Sequence, residues 1–201
     1  MIKVKVIRHS ERLDYTYPFA WLFCFGQYWS DAPLTLHGHQ IAEEKGKLMK
    51  TDNFDPKYIY TSPYNRTMAT AAEIKKTFPQ SQIIIEPLLA EFQGSFAHHI
   101  NLYPKGIPTL FGNQITNFSY PETYDNFCKR VNFIIFKLIE MNNRDIIIVT
   151  HGELLKALVN YFQNEFPETI LDPGTTPYLT ILSFGYDKIL DKIIKSSIKI
   201  E

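Results

Sequence analysis

The chain has 201 residues, 45% of them hydrophobic, enough to bury one substantial core, so one domain spanning residues 1–201 is the expectation. Lys plus Arg and Asp plus Glu each number 21, which leaves no net field to draw the protein to nucleic acid or an acidic membrane. Any anion site must therefore be local, and the two cysteines, Cys24 and Cys128, suit neither a disulfide scaffold nor a close-pair metal site; both are read as buried thiols in a reducing, cytoplasmic or nuclear compartment.

The opening "MIKVKVIRHSERLD" alternates charge with apolar residues, as a strand does and a signal peptide does not. No later window approaches the ~18 apolar residues of a membrane span. A long loop follows, and then "LTLHGHQIAEEKGKLMK" spaces Leu36, Ile41, Leu48 and Met49 like an amphipathic helix after the boundary at Pro33. "KYIYTS" reads as a short buried strand, "PYNRTMATAAEIKKTF" as a helix with Pro63 in its first turn, and "SQIIIEP" as a third strand. From Pro121, "ETYDNFCKRVNFIIFKLIEMNN" is a long helix, "DIIIVTH" the most apolar strand, and "GELLKALVNYF" a helix directly after it. "YLTILSF" and "KIIKSSIKI" close the chain as strands.

Strands separated by helices predict a three-layer α/β/α sandwich with a mostly parallel central sheet. Ligands of such folds bind outside the carboxyl ends of the strands, and Arg8, His9, Ser62, Arg66 and His151 all fall at or just after those ends. Two segments break the pattern: the aromatic-rich residues 15–31 and the Gly-, Pro- and Asn-containing residues 92–120. They read as loop insertions arching over one edge of the sheet, either packed surface or walls of a substrate pocket.

Four separated pieces carry the chemistry: "IRHSER", "TSPYNRTMATA", "EPLLAEF" and "VTHGELL". In that order and spacing, the chain resembles the histidine phosphatase superfamily, with its phosphoglycerate mutase-like fold. Its likeness runs to the RHGER-type branch of suppressor of T-cell receptor signalling and ecdysteroid-phosphate phosphatases, through "FAWLF" and "EPLLAEF" as well. The resemblance implies phosphomonoester hydrolysis through a phosphohistidine on His9, with no metal and no cofactor. It marks Arg8, Arg12, Arg66 and His151 as phosphate-binding, and His9, Glu91 and His151 as catalytic.

The residue types suit that chemistry on their own terms. Planar guanidiniums donate paired hydrogen bonds to two phosphate oxygens at once, so Arg8, Arg12 and Arg66 would neutralise a phosphoryl group. A neutral imidazole can attack phosphorus if its other nitrogen is held by an acceptor, and neighbouring guanidinium charge keeps His9 neutral. His151 would donate to a phosphate oxygen, and Glu91 would protonate the leaving oxygen and then activate water. Glu86 and Glu153 compete with Glu91 for that acid role. Ser10 stands where the superfamily usually has glycine, with a hydroxyl that could itself reach the phosphate. "HGH" at His37 and His39 and "HH" at His98 and His99 suggest metal ligands only superficially, since neither has carboxylate or thiol partners at ligand spacing.

The expected partner is a phosphorylated small molecule or phosphoprotein, with neither nucleic acid nor membrane. Phe19, Trp21, Phe23, Tyr28 and Trp29 suggest an apolar wall for an aryl phosphate such as phosphotyrosine. A phosphoglycerate mutase-type phosphotransferase and a catalytically silent interaction module are the alternatives. Against the mutase, residues 15–31 hold no Lys or Arg and residues 92–120 only Lys105. Against the silent module, every group the chemistry needs is present.

Overall fold

The computed structural model describes residues 1–24, 31–51, 53–94, 109–111, 121–168 and 176–201. Six strands form one sheet: β1 (Ile2–Arg8), β2 (Tyr58–Thr61), β3 (Gln82–Ile85), β4 (Ile146–Thr150), β5 (Ile181–Asp187) and β6 (Lys192–Ile200). Their order is β3-β2-β4-β1-β5-β6. The pairs β1–β4, β2–β4 and β2–β3 are parallel, while β5 runs antiparallel to both β1 and β6. Only β5 is reversed, so the sheet is mostly parallel, as the alternation of strands and helices predicts.

Side chains alternate between two cores. Val4, Val6, Ile146 and Ile148 face one side, where the long helices α5 (Tyr124–Met141) and α6 (Gly152–Glu165) bury Phe127, Ile134, Leu138, Leu154 and Leu158 against them. Ile7, Ile147 and Val149 face the other, covered by Ala42 and Met49 of α3 (Leu36–Met49) and Ala71 and Ile74 of α4 (Asn65–Lys75). Every residue of β4 is buried, which is why its sequence is continuously apolar. Among the described residues, no helix is long and apolar enough to cross a membrane.

Several local expectations change. Residues 13–24 hold two short helices, α1 (Leu13–Thr16) and α2 (Pro18–Cys24), where a loop was expected. Of residues 92–120, only 92–94 and 109–111 are described, and His98 and His99 lie outside the described residues. Tyr28 and Trp29 do too. Helix α4 begins at Asn65, so Pro63 precedes its first turn. The Asn65 backbone N–H is capped by both carboxylate oxygens of Asp31 at 2.9 Å. Cys128 is half-buried, not buried, and desolvation pushes its thiol pKa up; the side chain of Cys24 is not described.

Helix α3 has the expected period but turns a different face inward. Leu36 and Leu48 are 87% and 77% exposed, while Gly38, Ala42, Gly46 and Met49 form the buried stripe. Small residues are needed there because backbones approach closely. A Cβ on Gly46 would lie 3.2 Å from the Ile74 Cα, and one on Gly38 would lie 2.5 Å from the Glu11 carbonyl oxygen. Gly→Ala inside a helix ordinarily stabilises by about 0.5–1 kcal/mol. At Gly38 the clash is with backbone, so Gly38→Ala is expected to reverse the sign and destabilise by about 1–3 kcal/mol. Urea unfolding of the two proteins checks this, and an unchanged or raised midpoint contradicts it.

Candidate active site

The parallel pairing of β1 with β4 sets Arg8 beside Thr150, so the next residue of each strand, His9 and His151, emerges side by side at the carboxyl end of the sheet. Their ring centroids are 5.5 Å apart. The His9 backbone N–H donates to the Thr150 carbonyl at 2.8 Å, which fixes the strand end. His9 is 1% exposed, and its Nδ1 lies 2.8 Å from the Ser10 carbonyl oxygen. A carbonyl only accepts, so Nδ1 carries the proton and Nε2 keeps its lone pair. Ser10 does not turn toward the pocket: its hydroxyl donates to the Gly38 carbonyl at 2.6 Å, and its backbone N–H donates to Thr70 Oγ1 at 2.9 Å. That usage ties the turn after β1 to helices α3 and α4 at once.

His151 ends β4 and is fully buried. Arg66, in the first turn of α4, brings Nη2 to 3.2 Å from His151 Nδ1. A guanidinium only donates, so Nδ1 accepts there and Nε2–H donates to Ser62 Oγ at 2.8 Å. In this arrangement His151 offers no N–H to the pocket. The donation expected from the sequence needs the other tautomer, with the Ser62 hydroxyl donating to Nε2. Tyr64 packs its ring edge against His151, with centroids 5.1 Å apart, and the Arg66 guanidinium lies 4.3 Å from the Tyr64 ring centroid.

The three arginines differ in how they are held. Arg66 is 2% exposed; it donates to Glu91 Oε2 at 2.7 Å and reaches Asp31 Oδ1 at 3.4 Å, while its Nε is buried without a partner. Arg8 is half-buried, donates through Nη1 to the Thr176 carbonyl, rests on the Tyr178 ring, and also has a buried, unpartnered Nε. Arg12 is largely occupied: its Nε and Nη2 form a fork on Asp14, and the guanidinium stacks 4.3 Å from the Tyr15 ring centroid. A phosphate would meet Arg12 through Nη1, or by displacing Asp14.

The three carboxylates considered for the acid separate clearly in space. Glu91 is half-buried, on Arg66 and 3.6 Å from His151 Nδ1. Glu86 is buried and spent on structure, accepting from the Leu88 and Leu110 backbone N–H groups at 2.9 Å and from the Thr109 hydroxyl. Glu153 pairs with Lys156 on α6. His39 pairs with Glu73 and His37 lies 3.5 Å from Glu11, both away from His9; among the described residues no three His, Cys, Asp or Glu side chains gather as a metal site.

Glu91 is carried by a loop that α5 holds from below. Arg130, fully buried, donates to Glu122 through Nε at 3.0 Å and Nη2 at 2.6 Å. It also donates through Nη1 to the carbonyls of Leu88 and Ala90 at 2.6 and 3.0 Å, and reaches the Glu91 carbonyl at 3.4 Å. On the far side of Glu91, the Gln93 backbone N–H donates to the Glu122 carboxylate and the Glu122 backbone N–H to the Gln93 carbonyl, both at 2.9 Å. This strut, with Asp31, Tyr64 and Tyr178, went unread in the sequence. A signal for Arg130 existed, since it sits on the same helical stripe as Phe127, Val131 and Ile134, and a charge on a buried stripe demands a buried partner.

Burial is the first reason that His9 and His151 are held neutral, with pKa values well below the usual imidazole range; the Arg66 charge is the next. The unfolded chain takes up a proton on each ring as pH falls through about 6.5, and the folded chain does not, so protons favour unfolding. Each ring is then expected to remove about 1.4 kcal/mol of stability per pH unit below about 6.5, with no effect above it. Unfolding free energies measured between pH 7.5 and 5.5 check this: the wild-type slope should shrink in His9→Asn and in His151→Gln, and a flat wild-type profile contradicts it.

Comparison with known proteins accords with this geometry. The model of the histidine phosphatase superfamily (branch 1) matches residues 22–189, a span that begins after the "RHSER" turn. An uncharacterized phosphoglycerate mutase family protein of Acanthamoeba polyphaga mimivirus is 61% identical over all of this chain and 98% of its own length. Ecdysteroid-phosphate phosphatase of Drosophila melanogaster is 24% identical over 76% of this chain, which spans only 26% of that protein. Among solved structures, the ecdysone phosphate phosphatase of Bombix mori in complex with tungstate superposes with a TM-score of 0.66 at 21% identity, covering 96% of this chain and 92% of that one. Phosphoglycerate mutase of Bacillus anthracis gives 0.61 at 18% identity, covering 100% and 91%. The two low-identity structures establish the shared fold; the family match over most of the chain and the mimivirus relative establish the lineage. The chain belongs to branch 1 of the histidine phosphatase superfamily and is a phosphatase in class.

Proposed function

We propose that this protein hydrolyses phosphomonoesters by two in-line displacements at phosphorus, with His9 as the covalent carrier. The observation that carries the reading is the His9 tautomer: Nδ1–H is held by the Ser10 carbonyl, so Nε2 keeps its lone pair near the charges of Arg66, Arg8 and Arg12, with Glu91 held on Arg66. In the first displacement Nε2 forms a bond to phosphorus, the ester P–O bond breaks, and Glu91 gives its proton to the departing oxygen. In the second, water attacks the phosphohistidine, Glu91 takes the water's proton, and the P–N bond breaks to restore His9. The guanidiniums of Arg8, Arg12 and Arg66 hold the non-bridging oxygens through both steps, and His151 joins them in its other tautomer, with Nδ1–H donating and the Ser62 hydroxyl donating to Nε2.

For substrate, we favour a phosphomonoester with an apolar or aryl leaving group, phosphotyrosine included, encountered in the cytoplasm. Tyr15, Phe19 and Phe23 expose their rings beside Arg12 and along α2, whereas Trp21 is buried and belongs to the packing of that helix. The ecdysteroid-phosphate phosphatase among its relatives is in keeping with an apolar leaving group.

Rapid quenching during turnover of a ³²P-labelled monoester should trap label on the peptide containing His9, acid-labile and base-stable as a phosphoramidate is. His9→Ala should lose both label and hydrolysis; label on Ser10, or turnover surviving in His9→Ala, overturns the mechanism. Glu91→Gln tests the acid by leaving group. An alkyl phosphate needs the proton and should slow by about 10²–10⁴-fold at the phosphorylation step, while p-nitrophenyl phosphate should slow far less. Equal losses on both esters would remove Glu91 from that role.

A further inference from the structure

Arg8 is held differently from its two neighbours. Arg12 pairs with Asp14 and Arg66 with Glu91 and Asp31, whereas among the described residues no carboxylate pairs with Arg8. Its guanidinium lies 4.7 Å from the Tyr178 ring centroid. The same ring lies 5.8 Å from the His9 ring, tilted by 48°. One side chain thus touches both the last residue of β1 and the histidine after it.

The backbone that presents Tyr178 is under strain. Leu179 has φ 61°, in the left-handed region that a branched, non-glycine residue rarely enters. Burial of Leu179 in the core between the sheet and helices α3 and α4 holds it there. On either side the chain is pinned: Arg8 Nη1 donates to the Thr176 carbonyl, the Arg8 backbone N–H donates to the Thr180 carbonyl at 3.0 Å, and the Thr180 hydroxyl closes onto Pro177 at 2.8 Å. Residues 176–180 therefore wrap around Arg8, with the ring as their point of contact with its charge.

We infer that Tyr178 is a positioning residue for phosphate capture, an inference that rests on the phosphatase reading. A carboxylate holding Arg8 would have to be displaced by every incoming phosphate. An aromatic face holds a guanidinium through its quadrupole and leaves the N–H groups, which lie in the plane of the cation, free to donate. The buried, unpartnered Nε of Arg8 is such a free donor. Tyr178 thus presets the Arg8 fork beside His9 without competing for it.

The test uses the intact chain, with p-nitrophenyl phosphate for turnover and orthovanadate and inorganic phosphate as binding probes. Tyr178→Phe keeps the ring and should leave KM and both inhibition constants within about twofold of wild type. Tyr178→Leu fills most of the volume but removes the quadrupole; KM and both inhibition constants should rise about 5- to 20-fold, kcat should change by less than about threefold, and the thermal midpoint should stay near that of Tyr178→Phe. Tyr178→Leu that binds both anions as tightly as wild type overturns the inference, as does a loss of equal size in Tyr178→Phe. If wild type neither turns over the ester nor binds either anion, the phosphatase reading falls first and takes this inference with it.

Discussion

A guanidinium that water cannot reach has to find both charge and hydrogen bonds within the protein, or its burial costs several kcal/mol. Arg66 is in that position at 2% exposure, and the groups around it form the centre of the pocket. Glu91 and Asp31 supply opposite charge, the Tyr64 ring supplies a face, and His151 accepts one N–H. Each of these is held by something further out. Asp31 is anchored as the cap of α4, Tyr64 accepts from Gln93, His151 is tied to Ser62, and Glu91 rides on the loop that Arg130 grips. Because these inner and outer groups come from the ends of β2 and β4, from α4 and α5, from the Glu91 loop and from the segment before α3, one buried charge couples most of the fold to the site.

Two neutral histidines are the other consequence of that charge. A protonated imidazole beside three guanidiniums in a buried pocket would pay desolvation and repulsion together, so both rings stay neutral and act through lone pairs and single N–H groups. Their tautomers are then set by neighbours that can only accept or only donate: the Ser10 carbonyl for His9 and the Arg66 guanidinium for His151. Ser62, able to do either, keeps its bond to His151 in both tautomers, whereas the bond from Arg66 forms in only one.

The architecture was legible because strands and helices announce themselves by period, and because the chemistry-bearing residues sit at strand ends. Arg8, His9 and His151 could be placed together once β1 and β4 were read as parallel strands of one sheet, since register does the rest. What could not be read depends on contacts between segments remote in sequence. The inward face of α3 is made of Gly38, Ala42 and Gly46 because α4 and the turn after β1 press against it, and hydrophobicity favours Leu36 and Leu48 for that role. Glu86, Glu91 and Glu153 look alike as letters; only their partners distinguish a capped, buried carboxylate from one resting on Arg66. Ser10 likewise looked like a phosphate donor until the Gly38 carbonyl claimed its hydroxyl.

Charge balance around the pocket bears on the order of events. Arg8, Arg12 and Arg66 are offset by Asp14, Asp31 and Glu91, three against three, before any substrate enters. A phosphate dianion entering a balanced, buried set finds the unpartnered Nε of Arg8 and of Arg66, and takes its further donors from groups that give them up. Arg8 has no paired carboxylate to be displaced, Arg12 is forked on Asp14, and on Arg66 the group to be displaced is Glu91. On the proposed mechanism, the carboxylate freed from Arg66 by the incoming phosphate is the one that delivers a proton to the leaving oxygen. Capture of the phosphoryl group and release of Glu91 from Arg66 would then be one event, with Arg66 as the hinge between them.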